Sequence, residues 1–107
     1  MQPYLMNIDA TRKERLKAQA KIIKALGHPT RLMIVDELAN GERCVCVLTQ
    51  LAGAEMSTVS RHLALLRSAG IVEDDKRGTQ VFYRLKVPCI LNFFKCIESV
   101  QKASREE

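Results

Sequence analysis

Long apolar runs are missing from this chain. No stretch approaches the ~20 residues of a membrane span, so a transmembrane helix is excluded. Tryptophan is absent too, and there is no internal repeat or low-complexity tract. Neither a Gly-rich phosphate loop nor an HExxH helix occurs. No nucleophile can be grouped with a base and an orienting partner, so glycoside and acyl-transfer chemistry find no home and an enzyme is not expected. The first residues, Met1-Gln2-Pro3-Tyr4-Leu5-Met6, lack the basic start and apolar stretch of a signal peptide. A cytoplasmic protein is expected. Thiols stay reduced there, so the four cysteines are read as ligands, sensors or core residues rather than structural disulfides.

What is present fits one globular domain, residues 1–107. Hydrophobic residues make up 47% and charged residues 27%, too apolar for a disordered chain. The formal net charge of +5 favours an anionic partner without choosing between nucleic acid and membrane surface.

Residues 1–9 read as an N-terminal arm. Thr11-Arg12-Lys13-Glu14 has the form of a capping box, followed by Leu16, Ala20, Ile23 and Leu26 at helical spacing and a stop at Gly27. Lys13, Lys17, Lys21 and Lys24 form a solvated opposite face. Pro29 opens a second helix with Leu32, Val35, Leu38 and Ala39 as its stripe. A third runs from about Cys44 to Ala52. After a tight turn at Gly53-Ala54, a fourth spans about Glu55 to Ala69, with Val59, Leu63 and Leu66 inward. Ile71 to Asp74 and Gln80 to Leu85 then form a hairpin around the polar turn Asp75-Lys76-Arg77-Gly78. Pro88 opens a last helix, and residues 102–107 form a charged tail expected to fray. The order is α-α-α-α-β-β-α, mainly α with a β-hairpin wing: a winged helix-turn-helix.

The fourth helix carries the functional signal. A major groove admits one helix, with its N-terminal residues nearest the base edges. The early outward positions here are Ser57, Thr58, Ser60, Arg61 and His62, short or flexible donors throughout. Arg61 can fork onto guanine or hold a phosphate. His62 either does likewise or packs against the strand pair. Arg67 is too far along to reach bases. Lys76 and Arg77 at the hairpin tip would reach an adjacent backbone or minor groove. On the last helix, Leu91, Phe93, Phe94 and Ile97 cover more circumference than one packing face requires. With Leu16 and Ile23 of the first helix they are the expected homodimer interface. A two-fold dimer would set two reading helices about one DNA turn apart on double-stranded operator DNA.

Cys44-Val45-Cys46 begins the third helix. On a regular helix that spacing turns the two side chains apart, so one guest is shared only if the helix start unwinds. Ligation would then couple to DNA affinity through the deformed turn. A helix N-terminus favours the thiolate, and thiolates select soft ions: metalloids, Cu(I), Cd(II) or Zn(II). Cys89 and Cys96 lie two turns apart and share a face of the last helix. Either supplies a third ligand or fills an aromatic interface.

From Ile22 to Ile97 the chain resembles the ArsR/SmtB family of bacterial metal-responsive repressors. The resemblance rests on Ala25-Leu26-Gly27-His28-Pro29-Thr30-Arg31-Leu32, on Cys44-Val45-Cys46, and on Ser57-Thr58-Val59-Ser60-Arg61-His62-Leu63 with Leu66-Arg67-Ser68-Ala69-Gly70-Ile71-Val72. It implies a winged-helix homodimer that holds its operator when unliganded and leaves it when inducer binds. Arsenical sensors of the family often carry C-V-C-D-L-C here. This chain has Val47 and Thr49 in place of the acid and the third thiol, leaving two thiolates. The last helix has no His, which argues against the family's other common metal site. The expected inducer is As(III) or Sb(III) at Cys44 and Cys46, with a third ligand from Cys89, Cys96 or outside the protein. The alternative is a redox- or persulfide-sensing repressor built on a cysteine pair.

Overall fold

The computed structural model describes residues 3–105, with side chains from residue 10 onward. Five helices and three short strands follow in the order α1 (Pro3–Leu26), α2 (Pro29–Leu38), β1 (Arg43–Cys44), α3 (Val45–Ala52), α4 (Met56–Ser68), β2 (Val72–Arg77), β3 (Gln80–Leu85) and α5 (Ile90–Arg105). It is a winged helix-turn-helix, as its sequence pattern implies.

Local chemistry sets most of the boundaries. α2 starts where Pro29 needs no partner for its missing N–H, and the His28 ring caps it by accepting the Thr30 N–H at 3.1 Å. α3 stops at Gly53, whose φ of 63° is left-handed, a conformation that costs a side-chain-bearing residue energy. The hairpin turns at Gly78-Thr79, and Gly78 supplies the positive φ, 62°, that so short a loop requires.

One apolar core joins these pieces. Ile34, Val35 and Leu38 of α2, Leu48 of α3, and Val59, Leu63 and Leu66 of α4 meet Leu26, Ile71, Val72 and Tyr83. Seven of these are essentially inaccessible, among them Leu48, Leu63 and Leu66. Each contributes roughly 1.5–3 kcal/mol by leaving water.

Four expectations need correction. The segment read as an arm is helical from Pro3 onward, so Thr11 lies inside α1 and does not mark the start of a helix. After Pro3, no Pro or Gly interrupts the chain before Gly27, and propagation is favourable once a helix has begun. α5 likewise continues to Arg105, into the segment read as a fraying tail. Residues 1–2 and 106–107 lie outside the described residues. The first hairpin strand runs further than expected, while β3 keeps the expected Gln80–Leu85: Asp75, Lys76 and Arg77 are paired with Phe82, Val81 and Gln80 rather than forming the turn. Finally, β1 was not expected. It pairs antiparallel with β3, Arg43 opposite Tyr83 and Cys44 opposite Phe82, giving sheet order β1-β3-β2. Two residues are too few to show an alternating pattern.

The outer helices are different. In α1 the sole buried side chain among described residues is Leu26, while Leu16 and Ile23 are 46% and 54% exposed. α5 has no buried residue. Leu91 and Phe94 pack against the chain's own core, whereas Phe93 and Ile97 are exposed. The predicted interface residues thus divide: two serve the fold and four stand open.

Candidate nucleic-acid interface and cysteine pair

α4 presents two faces. Val59, Leu63 and Leu66 hold it to the core, and Ser57, Ser60 and Arg61 are exposed on the other side, with Thr58 half-buried. Glu55 precedes it in extended conformation with no side-chain cap. The first-turn N–H groups of α4 therefore lack a side-chain carboxylate cap, an arrangement suited to an anion.

His62 belongs to a different set of contacts. Its ring lies 4.5 Å, centroid to centroid, from that of His28. Its Nδ1 is 3.2 Å from Nη1 of Arg31. A guanidinium only donates, so Nδ1 of His62 accepts and the ring proton sits on Nε2. Burial, then the His28, Arg31 and Arg61 charges, push its pKa below the usual histidine value. His62 therefore joins α4 to the start of α2.

The wing is an ion-paired ribbon. Arg84 donates to Glu73 at 2.8 Å across β2 and β3. Arg67 at the end of α4 donates to Asp74 at 3.0 Å, so this arginine ties helix to wing. Lys76 is exposed. Arg77 is held by Asp75 and by Glu42, a residue the sequence reading passed over. The wing tip is thus less basic than the sequence suggests.

The cysteine pair sits behind this surface. Cys44 and Cys46 are joined as a disulfide, contrary to the expectation of free thiols. The geometric expectation also fails. Cys44 is not helical: with φ −77° and ψ 158° it is the extended N-cap of α3 and the last residue of β1. Its side chain is therefore free to meet that of Cys46, in the first turn, while α3 stays regular. No unwinding of the helix is needed to bring the sulfurs together. Both line a groove of about 260 Å³ shared with Met56 and Ser60 of α4 and with Gln80, Val81 and Tyr83 of β3.

Cys89 and Cys96 are exposed and unpaired. Cys89 immediately precedes α5 rather than lying on it as expected, and Cys96 is within it. Among the described residues, no three His, Cys, Asp or Glu side chains converge on a metal-sized site. A third ligand from Cys89 or Cys96 is not assembled within one chain.

A reading helix locked to a three-helix core beside a β-ribbon is the architecture of a DNA-binding transcriptional regulator, and relatives agree. The family model for bacterial regulatory proteins of the arsR family matches residues 28–74. An HTH-type transcriptional regulator of Methanocaldococcus jannaschii is 39% identical over 88 residues, 81% of this chain and 99% of that protein. A homodimeric winged helix-turn-helix DNA-binding domain from Mycobacterium bovis, solved by NMR, superposes with a TM-score of 0.77 at 33% identity, covering 89% of this chain and 88% of that one. The transcriptional repressor BigR from Xylella fastidiosa superposes at 0.72 with 34% identity, covering 86% and 94%. The chain belongs to the ArsR family of winged helix-turn-helix transcriptional regulators.

Proposed function

We propose that this protein is a transcriptional repressor that binds a two-fold operator as a homodimer and releases it when the Cys44–Cys46 pair changes chemical state. Ser57, Thr58, Ser60 and Arg61 face the major groove, and Lys76 at the wing tip lies along the backbone. The exposed faces of α1 and α5, with Leu16, Ile23, Phe93 and Ile97, form the contact between protomers. Homodimerisation in the M. bovis domain and repression by BigR support both parts.

The observation that carries the switch is the shared groove. Cys44 and Cys46 line the same space as Ser60 of the reading helix and Gln80 and Val81 of the wing. A change at sulfur therefore acts on both DNA-facing elements without a long relay. The state best supported is the dithiol–disulfide exchange, because the two sulfurs are already paired. Forming that bond releases two protons and two electrons to an oxidant such as a peroxide or another disulfide.

A second reading is ligation of the reduced pair by a thiophilic ion. It is favoured by two sulfurs facing one groove. The donor set suits an ion content with two thiolates, such as Cu(I), and Cd(II) or Zn(II) would need further donors. As(III) or Sb(III) would draw a third sulfur from Cys89 or Cys96 of the other protomer or from a small thiol.

The test is fluorescence anisotropy on a palindromic duplex selected from a random pool. Reduced protein should bind, diamide should release it, and Cys44→Ser should bind and stay bound. Release by arsenite, Cd(II) or Cu(I) under reducing conditions, lost in Cys44→Ser, would instead establish the ion. Equal release of wild type and Cys44→Ser would remove the pair from the switch.

A further inference from the structure

Arg77 closes β2 beside the wing's two-residue turn, where an arginine reaching for DNA backbone is expected. Its guanidinium is already engaged on two edges and one face. Nη1 donates to Oε1 of Glu42 at 2.5 Å and Nη2 to Oε2 at 3.0 Å. Nε donates to Oδ2 of Asp75 at 2.9 Å. The guanidinium carbon lies 4.5 Å from the centroid of the Phe82 ring.

The Glu42 contact is a fork, two parallel N–H···O bonds, and a phosphate takes a guanidinium in the same way. Glu42 is 35 positions away in sequence, in the segment between α2 and β1. It is therefore a tertiary tie, unlike the neighbouring Asp75. Phe82, beneath Arg77, is the residue opposite Cys44 in the sheet. The segment bearing Glu42 is thus anchored directly under the wing tip. Hydrogen bonding to Arg77 holds the Glu42 carboxyl below its ordinary range, so it is charged at neutral pH.

We infer that Glu42 is an internal competitor for the DNA backbone: it occupies the guanidinium edge of Arg77 that a phosphate would take. Arg77 then adds a DNA contact only when Glu42 releases it. Together Glu42 and Asp75 offset the charges of Arg77 and Lys76, so the tip draws little on non-specific attraction and leaves discrimination to α4. The inference rests on the reading in which the wing lies against DNA.

Glu42→Gln is isosteric at a partly exposed position, and an unchanged melting curve checks the fold. The probe is a random-sequence duplex, titrated by fluorescence anisotropy over a range of salt. The expected result is several-fold tighter binding by Glu42→Gln, with a log–log salt slope steeper by about 0.9 for one more phosphate contact. The gain should vanish in Glu42→Gln/Arg77→Ala, and Arg77→Ala alone should keep the wild-type slope. Weaker binding by Glu42→Gln would overturn the inference, since Glu42 would then be positioning Arg77 for DNA. A gain that survives without Arg77 would reduce it to a general charge effect and overturn it as well. If Glu42→Gln does not fold, Arg77→Ala decides alone: a slope lowered by about 0.9 means Arg77 already holds a phosphate, and the competition does not exist. Absence of any salt-dependent binding by wild type would remove the DNA reading itself, and the competition with it.

Discussion

The centre of this molecule and its two outer helices solve the burial problem differently. In α2, α3 and α4, the inward apolar side chains vanish from solvent: Ile34, Val35, Leu48, Val59, Leu63 and Leu66 are all 0% exposed, although Leu32, Leu51 and Leu65 of the same helices are not buried. In α1 and α5, equally apolar residues at the same spacing remain open. Leu16, Ile22, Ile23, Phe93, Ile97 and Val100 are exposed, and Gln19, Ile22, Ile23, Ile90 and Phe93 line a groove between the helices of about 250 Å³. The chain's radius of gyration is 17.2 Å, against about 13 Å for a compact domain near this length. The excess lies in helices that extend past the core; α1 alone, at 24 residues, is about 36 Å long. Amphipathic pattern declares that a face will be covered. It does not say by whom.

The sharpest way to break this contrast is to truncate one residue from each region. Leu63→Ala, at a fully buried site, should cost ~2–5 kcal/mol in urea unfolding. Ile23→Ala should cost far less in a dilute monomer, where its side chain already meets water; an equal loss in both would mean that α1 is part of the core. Charging the open faces is the second test. Ile23→Glu with Phe93→Glu should leave helical content intact and shift sedimentation toward the monomer. A dimer that persists would move the protomer contact elsewhere.

A smaller effect sharpens the functional side of the comparison. Arg61 is exposed on α4, so Arg61→Ala should leave the melting temperature unchanged. Operator affinity should fall by ~1–3 kcal/mol if the guanidinium forks onto a base. Unaltered gel-shift titrations would take Arg61 off the reading face.

The smallest effect concerns the α2–α4 junction. The folded pKa of His62 lies below the ordinary histidine value, first through burial and then through the charges of His28, Arg31 and Arg61. The unfolded chain therefore takes up this proton first as pH falls. Stability should be full above about pH 6.5 and decline as pH drops toward the folded value. His62→Gln should flatten the melting temperature between neutral and mildly acidic pH. A wild-type profile already flat there would mean the His28–His62–Arg31 cluster does not hold the ring neutral.

Legibility followed distance along the chain. The stops at Gly27 and Gly53, the Pro29 start and the inward triad Val59, Leu63 and Leu66 are set within a turn or two, and all were readable. Thr11 misled because a capping box marks a helix start only if the preceding residues are not helical, and the residues after Pro3 propagate a helix freely. β1 was too short to carry a pattern. Its consequence was large, since an extended Cys44 removes the conflict expected of two cysteines one residue apart on a helix.

By itself the sequence determined the order of helices and wing, most of their boundaries, and the place of the cysteine pair at the start of α3. These depend on backbone propensity and short-range spacing. Only the tertiary structure decided that Cys44 meets Cys46, that His62 faces Arg31 and His28, and that Glu42 grips Arg77. Those pairings join residues with no common period, and the folded core alone brings them within bonding reach.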